Sequence, residues 1–261
     1  MKKRSALKTR PLMLFSQGSK KRGQVTIFII VAILIVAVLL SFFLWIGPIY
    51  FSEGSREIKF EKCVEDVVEV SIAELAKNAG FVNPEFTYMY NSENFPYLCY
   101  TDQYHKTCVL QKVFLDSHFK EGLESSIENG VNSCYTNSID ELKDEGYSVV
   151  AGEVKYNVTF NPSTVNIQIN APTNIGERKF TRFNAKVNSP IYEMVMIATS
   201  LLQYESVAGD SDVSTLMLLY PNYIIDKIKR GDGTTVYIIE DKVSKIKFQF
   251  ASRSLVFPAG Y

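Results

Sequence analysis

The sequence predicts an α+β protein with an N-terminal transmembrane helix, a helical segment that includes a disulfide loop, and an antiparallel sheet covered by a helix and a C-terminal β-meander. Three observations support this prediction. Val25 to Ile46 is an apolar run without a charged residue. Apolar side chains then recur at helical spacing, and further along the chain they alternate with polar ones as in strands. These patterns divide the chain into residues 1–23, 24–51, 52–148 and 149–261.

The apolar run is long enough to cross a membrane. Its 22 residues span roughly 33 Å as a helix, against a bilayer core of about 30 Å. Residues 1–23 carry eight basic side chains and no acidic one, and because the whole chain is neutral the remainder has a net charge of 0 − 8 = −8. The positive-inside rule therefore predicts a single-pass cell-membrane protein with a cytoplasmic N-terminus and an extracytoplasmic C-terminal region. A cleaved secretory signal and a buried core helix are the alternatives.

The start of the apolar run has a recognisable pattern. Lys20-Lys21-Arg22-Gly23-Gln24, followed by an apolar helix, resembles the class III signal peptide of archaeal type IV pilins and pilin-like proteins. The resemblance implies cleavage between Gly23 and Gln24, after which the mature protein keeps its apolar helix. Phe28 departs from the pattern, because many members carry at this position a Glu that is tied to filament assembly. The exterior region is similar to uncharacterised archaeal single-span surface proteins, which implies no particular function.

All four cysteines follow the apolar run: Cys63, Cys99, Cys108 and Cys134. An even number in an exported region predicts two disulfides, for which three connectivities exist. We favour Cys99–Cys108, which closes a short loop worth about 2.7 kcal/mol, and Cys63–Cys134, whose longer loop is worth about 4 kcal/mol. The competing interpretation is a metal site that includes His105, but the spacing matches no common zinc pattern. We therefore predict no metal.

Residues 52–148 are predicted to form two helices with an aromatic segment between them. The helices cover Glu57–Asn78 and about Leu110–Glu145, and they would bring two cysteines together if they pack against each other. If the membrane helix continues into the first of these, Gly47-Pro48 should kink or break it. Gly130 and Asn137 are the positions at which the second helix is expected to bend.

The aromatic segment, residues 81–104, contains eight aromatic side chains. One interpretation is a contact surface for glycan or protein, since Tyr combines a large apolar area with a hydroxyl. The other interpretation is core packing around a disulfide-bonded loop. The candidate contact residues are Phe86, Tyr88, Tyr90, Tyr97 and Tyr100.

Residues 149–261 are predicted to form two groups of antiparallel strands separated by one helix. A helix that starts with Ser189 as N-cap and ends near Ser206 should cover the sheet. The loop Gly209–Ser214 is expected to cap a helix rather than to bind calcium. Asn157-Val158-Thr159 is an N-glycosylation sequon. The predicted strands are Val154–Phe160, Val165–Ile169, Phe180–Val187, Tyr223–Lys229, Thr234–Glu240 and Ile246–Ala251.

The sequence contains no recognisable catalytic or cofactor motif. The two histidines, His105 and His118, belong to no triad or metal pattern, and the only strong basic cluster lies in the N-terminal residues beside the membrane, which disfavours nucleic-acid binding. We predict a non-enzymatic, membrane-anchored surface protein whose exterior region is an interaction module. The alternatives are a pilin-like structural subunit processed after Gly23 and an anchored enzyme of unrecognised type.

Overall fold

The computed structural model describes residues 22–256, including all of their side chains except those of residues 22–27 and 42–59. The chain forms two compact units, Met1–Gly54 and Ser55–Tyr261. The fold is α+β with two disulfides, as predicted.

Helix α1 covers Arg22–Lys77, so its residues belong to both units. It continues through Gly47-Pro48, and the break predicted there is wrong; a single proline removes one helical hydrogen bond, which the flanking turns can tolerate. Within the part of the chain that the structure describes, no helix has the length and hydropathy of a membrane span. The transmembrane assignment of residues 24–51 therefore stays a prediction from the sequence.

The C-terminal part of α1 packs against α2, which covers Leu115–Asp144. Val64, Val68 and Ile72 of α1 are fully buried, because they recur on one face at helical spacing. Helix α2 starts later than predicted, since the residues before it form a short strand. Helix α2 is continuous through Gly130 and Asn137, and Gly130 lies at its close contact with α1.

One sheet of the second unit has four antiparallel strands: β4 (Val149–Ala151), β5 (Lys155–Asn161), β6 (Thr164–Ile175) and β7 (Arg178–Asn188). The long strand β6 is central, with β7 along one edge and β4 and β5 along the other. Strands β5 and β7 agree with the predicted ones. Strand β6 continues through Pro172 to Ile175, so its predicted end at Ile169 is wrong, and the three-residue β4 was not predicted. Alternate residues of β5 and β6, such as Val158 and Ile167, face the core.

Carboxylates from the helices cover both outer edges of this sheet. On β7, the amides of Asn184 and Lys186 donate to Glu61 Oε1 at 3.2 Å and to Glu65 Oε1 at 3.5 Å. On β5, the Val158 amide donates to Glu124 Oε1 of α2 at 3.2 Å. These bonds satisfy donors that would otherwise be open to pairing with another strand.

The other sheet has six strands: β1 (Thr87–Tyr90), β2 (Glu93–Tyr100), β3 (Val109–Leu110), β8 (Tyr223–Lys229), β9 (Thr234–Asp241) and β10 (Lys247–Arg253). Its order is β1-β2-β10-β9-β8, with β3 beside β2. The predicted meander is confirmed as β8, β9 and β10. Strand β2, which was not predicted, pairs in parallel with β10 and joins the aromatic segment to this meander.

Helix α3 (Ile191–Ala208) covers the six-stranded sheet, with contacts to β2, β3, β9 and β10 and to α2. The predicted position over the four-stranded sheet is wrong, because α2 already contacts that sheet through β4 and β5. The N-cap of α3 is Pro190 and not Ser189 as predicted, although the Ser189 hydroxyl accepts from the Ile191 amide at 3.3 Å. A short helix α4 (Val213–Leu219) follows, and Asp212 caps it by accepting from the Ser214 amide at 2.9 Å. The helix-capping interpretation of this loop is therefore confirmed.

Candidate interaction surface

The five predicted contact residues lie together on the face of the six-stranded sheet opposite α3. Ring centroids are 4.7 Å apart for Phe86 and Tyr97, 4.8 Å for Phe86 and Tyr100, and 5.0 Å for Tyr97 and Tyr100. The ring of Tyr88 lies 6.2 Å from that of Tyr97. Tyr90 packs against Phe95 of β2, and both belong to a second apolar cluster that is separate from the main core.

Exposure divides this cluster into a buried floor and a partly exposed rim. Tyr97 is only 7% exposed, whereas Phe86 is 47% exposed and Tyr88, Tyr90 and Tyr100 are half-buried. Core packing therefore describes Tyr97, whereas the other four side chains are accessible, and their role as a contact surface stays a prediction. Met89 is 73% exposed, but it lies between Tyr88 and Tyr90 on β1, so its side chain is on the opposite face of the strand.

Two arginines stack on the rim. The guanidinium of Arg230 lies 5.3 Å from the ring centroid of Tyr90, and that of Arg253 lies 5.5 Å from the centroid of Tyr100. Arg253 Nη1 also donates to the Tyr100 hydroxyl at 3.1 Å, and its Nε donates to the carbonyl of Asp232 at 3.0 Å. A hydrogen bond with Tyr88 is the main cause of the raised pKa of Arg230. We call the five aromatic residues and these two arginines the aromatic–arginine patch.

A hydrogen bond joins the floor of the patch to the sheet. The Tyr97 hydroxyl lies 3.0 Å from Thr234 Oγ1, and the amide of Thr234 donates to Asp232 Oδ1 at 3.0 Å. Burial raises the pKa of Tyr97, although the hydrogen bond with Thr234 lowers it in part. The phenol is therefore neutral at physiological pH and fixes the ring at the centre of the patch.

The four cysteines form the two favoured disulfides, and this prediction is confirmed. Cys63 of α1 is bonded to Cys134 of α2, and Cys99 of β2 is bonded to Cys108 beside β3. The first bridge links the two long helices. The second closes the loop that follows the aromatic strand β2, so it fixes one side of the aromatic–arginine patch.

A buried polar network on the other face of this sheet was not predicted. Glu205 of α3 is 1% exposed and accepts hydrogen bonds from the Tyr237 hydroxyl and from Ser252 Oγ, the latter at 3.0 Å. Tyr237 also lies 2.7 Å from Ser211 Oγ. Burial raises the pKa of the Glu205 carboxyl, against the opposite effect of its hydrogen bonds. This network connects α3 to β9 and β10. The signal for it in the sequence was Glu205, an acidic residue on the apolar side of α3.

The residues predicted for glycosylation and for processing lie apart from the patch. Asn157 is exposed on β5, where its Oδ1 accepts from Lys120 Nζ at 3.1 Å. Gly23 and Gln24 lie in the first turn of α1, and their side chains are outside the described part. Cleavage between them and glycosylation of Asn157 stay predictions.

Neither histidine belongs to a cluster of potential ligands. His118 packs edge-to-face on Phe81 with ring centroids 4.4 Å apart, and burial lowers its pKa to about 4, with the charge of Lys112 adding to the effect. His105 lies in an exposed loop. Among the described residues, no group of three or more His, Cys, Asp or Glu side chains could hold a metal ion.

Comparison with known proteins gives no match: no family model, no curated protein and no solved structure is similar to this chain. The assignment of a function therefore depends on the residues themselves.

Proposed function

We propose that this protein is a non-enzymatic, single-span surface protein whose extracytoplasmic α+β region is an interaction module. The observation that carries the proposal is the aromatic–arginine patch, in which a partly exposed aromatic rim is combined with two ordered guanidinium groups. Tyr, Arg and Met are the residues enriched in protein interfaces. Phe86, which is 47% exposed, supplies apolar area at the edge of the patch.

The proposed anchor is the apolar run from Val25 to Ile46. Its length and the eight basic residues that precede it support insertion with the N-terminus in the cytoplasm. The described side chains of this run, residues 28–41, are exposed to their surroundings on every side of the helix, as suits a helix in lipid. The two disulfides support an oxidising compartment for the rest of the chain.

A crosslinking experiment in the native membrane tests the interaction function. A photo-reactive phenylalanine analogue at Phe86, which belongs to the patch and is 47% exposed, should give a discrete crosslinked product with a partner. The matched control is the same amino acid at Val243, which is 86% exposed on the loop between β9 and β10. Identical product patterns from the two positions would refute an interaction function of the patch.

The second candidate is a pilin-like structural subunit. The observation that favours it is α1, a helix of 56 residues whose apolar start continues into the core of the exterior region. If the chain is processed as the signal-peptide resemblance implies, the mature protein begins at Gln24. Intact mass and N-terminal sequencing of the membrane-extracted protein test this, and a chain that retains residues 1–23 would rule the candidate out.

A further inference from the structure

We propose that His118 is an acid-sensitive latch, whose protonation releases residues 79–85 from α2 while the disulfide-bonded helices and both sheets stay folded. Residues 79–85 connect the end of α1 to Phe86 and β1. The latch is a property of the fold and does not depend on the proposed interaction function.

The turn that follows α1 lies directly on α2 beside His118. The amide of Gly80 donates to the Leu75 carbonyl at 2.8 Å, and Gly80 has a φ of 89°. A Cβ at Gly80 would lie 3.2 Å from His118 Cδ2, and a Cβ at Gly122 of α2 would overlap the carbonyl oxygen of Gly80. Glycine at these two positions therefore lets the backbone of the turn cover one edge of the His118 ring.

The covered edge of the ring carries a nitrogen without a hydrogen-bond partner. His118 Nε2 is buried and bonds to no residue that the structure describes. It neighbours Cδ2 in the ring, which packs edge-to-face on Phe81 with centroids 4.4 Å apart. Both nitrogens of an imidazolium carry a proton, so its Nε2–H would be buried without an acceptor whichever tautomer the neutral ring has. The charged ring therefore favours a state in which the turn has moved and water reaches Nε2.

The charges around the ring also oppose its protonation in the closed form. Burial is the main cause that lowers the pKa of His118 to about 4, and the positive charge of Lys112 adds to it. Lys112 Nζ lies 5.2 Å from the centroid of the Phe81 ring, on the same part of the contact. Residues 78–84 contain no ionisable side chain. The ionisable side chains on the adjoining turns of the two helices are exposed: Lys77, Asp116 and Glu121. No carboxylate therefore offsets the charge of a buried imidazolium.

Residues 79–85 can open without unfolding the rest of the exterior region. Only Ala79 and Gly80 among them are buried, and the others are partly or fully exposed. Beyond the segment, the Phe86 carbonyl accepts from the Tyr97 amide at 3.0 Å, which keeps Phe86 on β2. On the other side, the disulfide between α1 and α2 holds the helices together. A segment with few buried side chains between two fixed ends opens at a low free-energy cost.

The test is hydrogen exchange, read by peptide mass spectrometry, on the oxidised full-length protein in zwitterionic nanodiscs at pH 6.5 and pH 4. A histidine pKa of 6.5 in the open form and about 4 in the closed form allows up to about a 300-fold rise in the open population. Because the ring is only half-buried, we expect a rise of about tenfold or more in the exchange of residues 79–85, corrected for the intrinsic rate. H118F keeps an aromatic ring beside Phe81 but does not titrate, so it should lose this rise, as should the smaller H118Q. The matched control H105Q removes the exposed histidine and should keep the rise.

Three results would overturn the latch. The first is exchange of residues 79–85 that does not rise between pH 6.5 and pH 4. The second is a rise that both H118F and H118Q retain. The third is a rise of equal size in peptides of β5 and β6, which would mean that acid loosens the whole fold rather than this segment. Crosslinking from Phe86 at neutral pH tests the interaction function separately.

Discussion

Replacement of Gly130 by alanine should destabilise this protein, although alanine is normally the better helix former. A Cβ at position 130 of α2 would overlap Cγ1 of Val67 on α1 and lie 3.1 Å from its Cγ2. The helices cannot easily separate to relieve this overlap, because Cys134, one turn along α2, is bonded to Cys63, one turn back on α1. The missing side chain of Gly130 is what permits the close contact.

The magnitude follows from two opposing effects. Alanine in place of glycine inside a helix stabilises by about 1 kcal/mol, whereas overpacking at a well-packed contact costs about 1–3 kcal/mol. The difference is a net loss of up to about 2 kcal/mol in G130A, which lowers Tm by up to about 4–8 °C. In V67A the overlap disappears, since the new Cβ would then lie 3.4 Å from Cβ of residue 67. In that background G130A should stabilise the protein by about 0.5–1 kcal/mol.

Thermal unfolding of the oxidised, full-length protein measures the double-mutant cycle, which consists of the parent protein, G130A, V67A and the double variant. N129A is the control for helix propensity, because Asn129 precedes Gly130 on α2 and is exposed; it should stabilise by a few tenths of a kcal/mol, roughly its propensity difference. The expected signature is a change of sign for G130A between the two backgrounds. Additive effects, or a G130A protein at least as stable as the parent, would refute the close contact of α1 with α2.

Three further predictions concern single contacts. Stability should fall by about 1–2 kcal/mol between pH 6.5 and 4 because of His118, whose native pKa of about 4 leaves the unfolded chain with more bound protons in that range; H118Q should remove this part in pH-dependent urea unfolding. E205L should cost about 2–4 kcal/mol by removing the carboxylate that accepts from two buried hydroxyls, whereas E205Q keeps an acceptor and should cost much less. The double variant E61A/E65A should accelerate hydrogen exchange of two β7 amides by about tenfold, the equivalent of one lost hydrogen bond.

Each of these predictions has a contrary result. If H118Q loses as much stability between pH 6.5 and 4 as the unchanged protein does, His118 is excluded as the source of that loss. Burial raises the pKa of Glu205, so its native form keeps a proton at a higher pH than the unfolded chain does, and stability falls as pH rises from the ordinary Glu value through the native one. An E205Q protein in which this fall is unchanged would contradict that shift. For the β7 edge, E69A is the control at an exposed position of the same helix, and equal exchange rates in E69A and in the double variant would rule out the carboxylate bonds.

Local patterns in the sequence predicted most of the elements but not the pairing of the aromatic segment. Strands β5 to β8 have one face in the core, so their residues alternate, and α3 has a continuous apolar stripe. Strand β2 lacks this alternation because residues 95–99 are buried on both faces. Pro96 within it further weakens the strand signal. Its parallel pairing with β10 joins residues about 150 positions apart, which local periodicity cannot reveal.

The candidate surface was predictable only in part for the same reason. The aromatic residues are close in sequence, and alternation at positions 86, 88 and 90 placed them on one side of a strand. Arg230 and Arg253 become neighbours of those rings only through the order of β2, β10, β9 and β8. Nothing local distinguishes them from other surface arginines, so the charge of the patch required the fold.

The most direct test of the account is lysine labelling of intact cells with a membrane-impermeant reagent, read by peptide mass spectrometry. The side chains of Lys62, Lys155 and Lys229 are 61%, 71% and 57% exposed in the exterior region. We expect these lysines to be labelled in intact cells, and lysines of residues 1–23, where that segment is retained, to be labelled only after permeabilisation. Exterior lysines that stay unlabelled until the membrane is opened would contradict a surface interaction module.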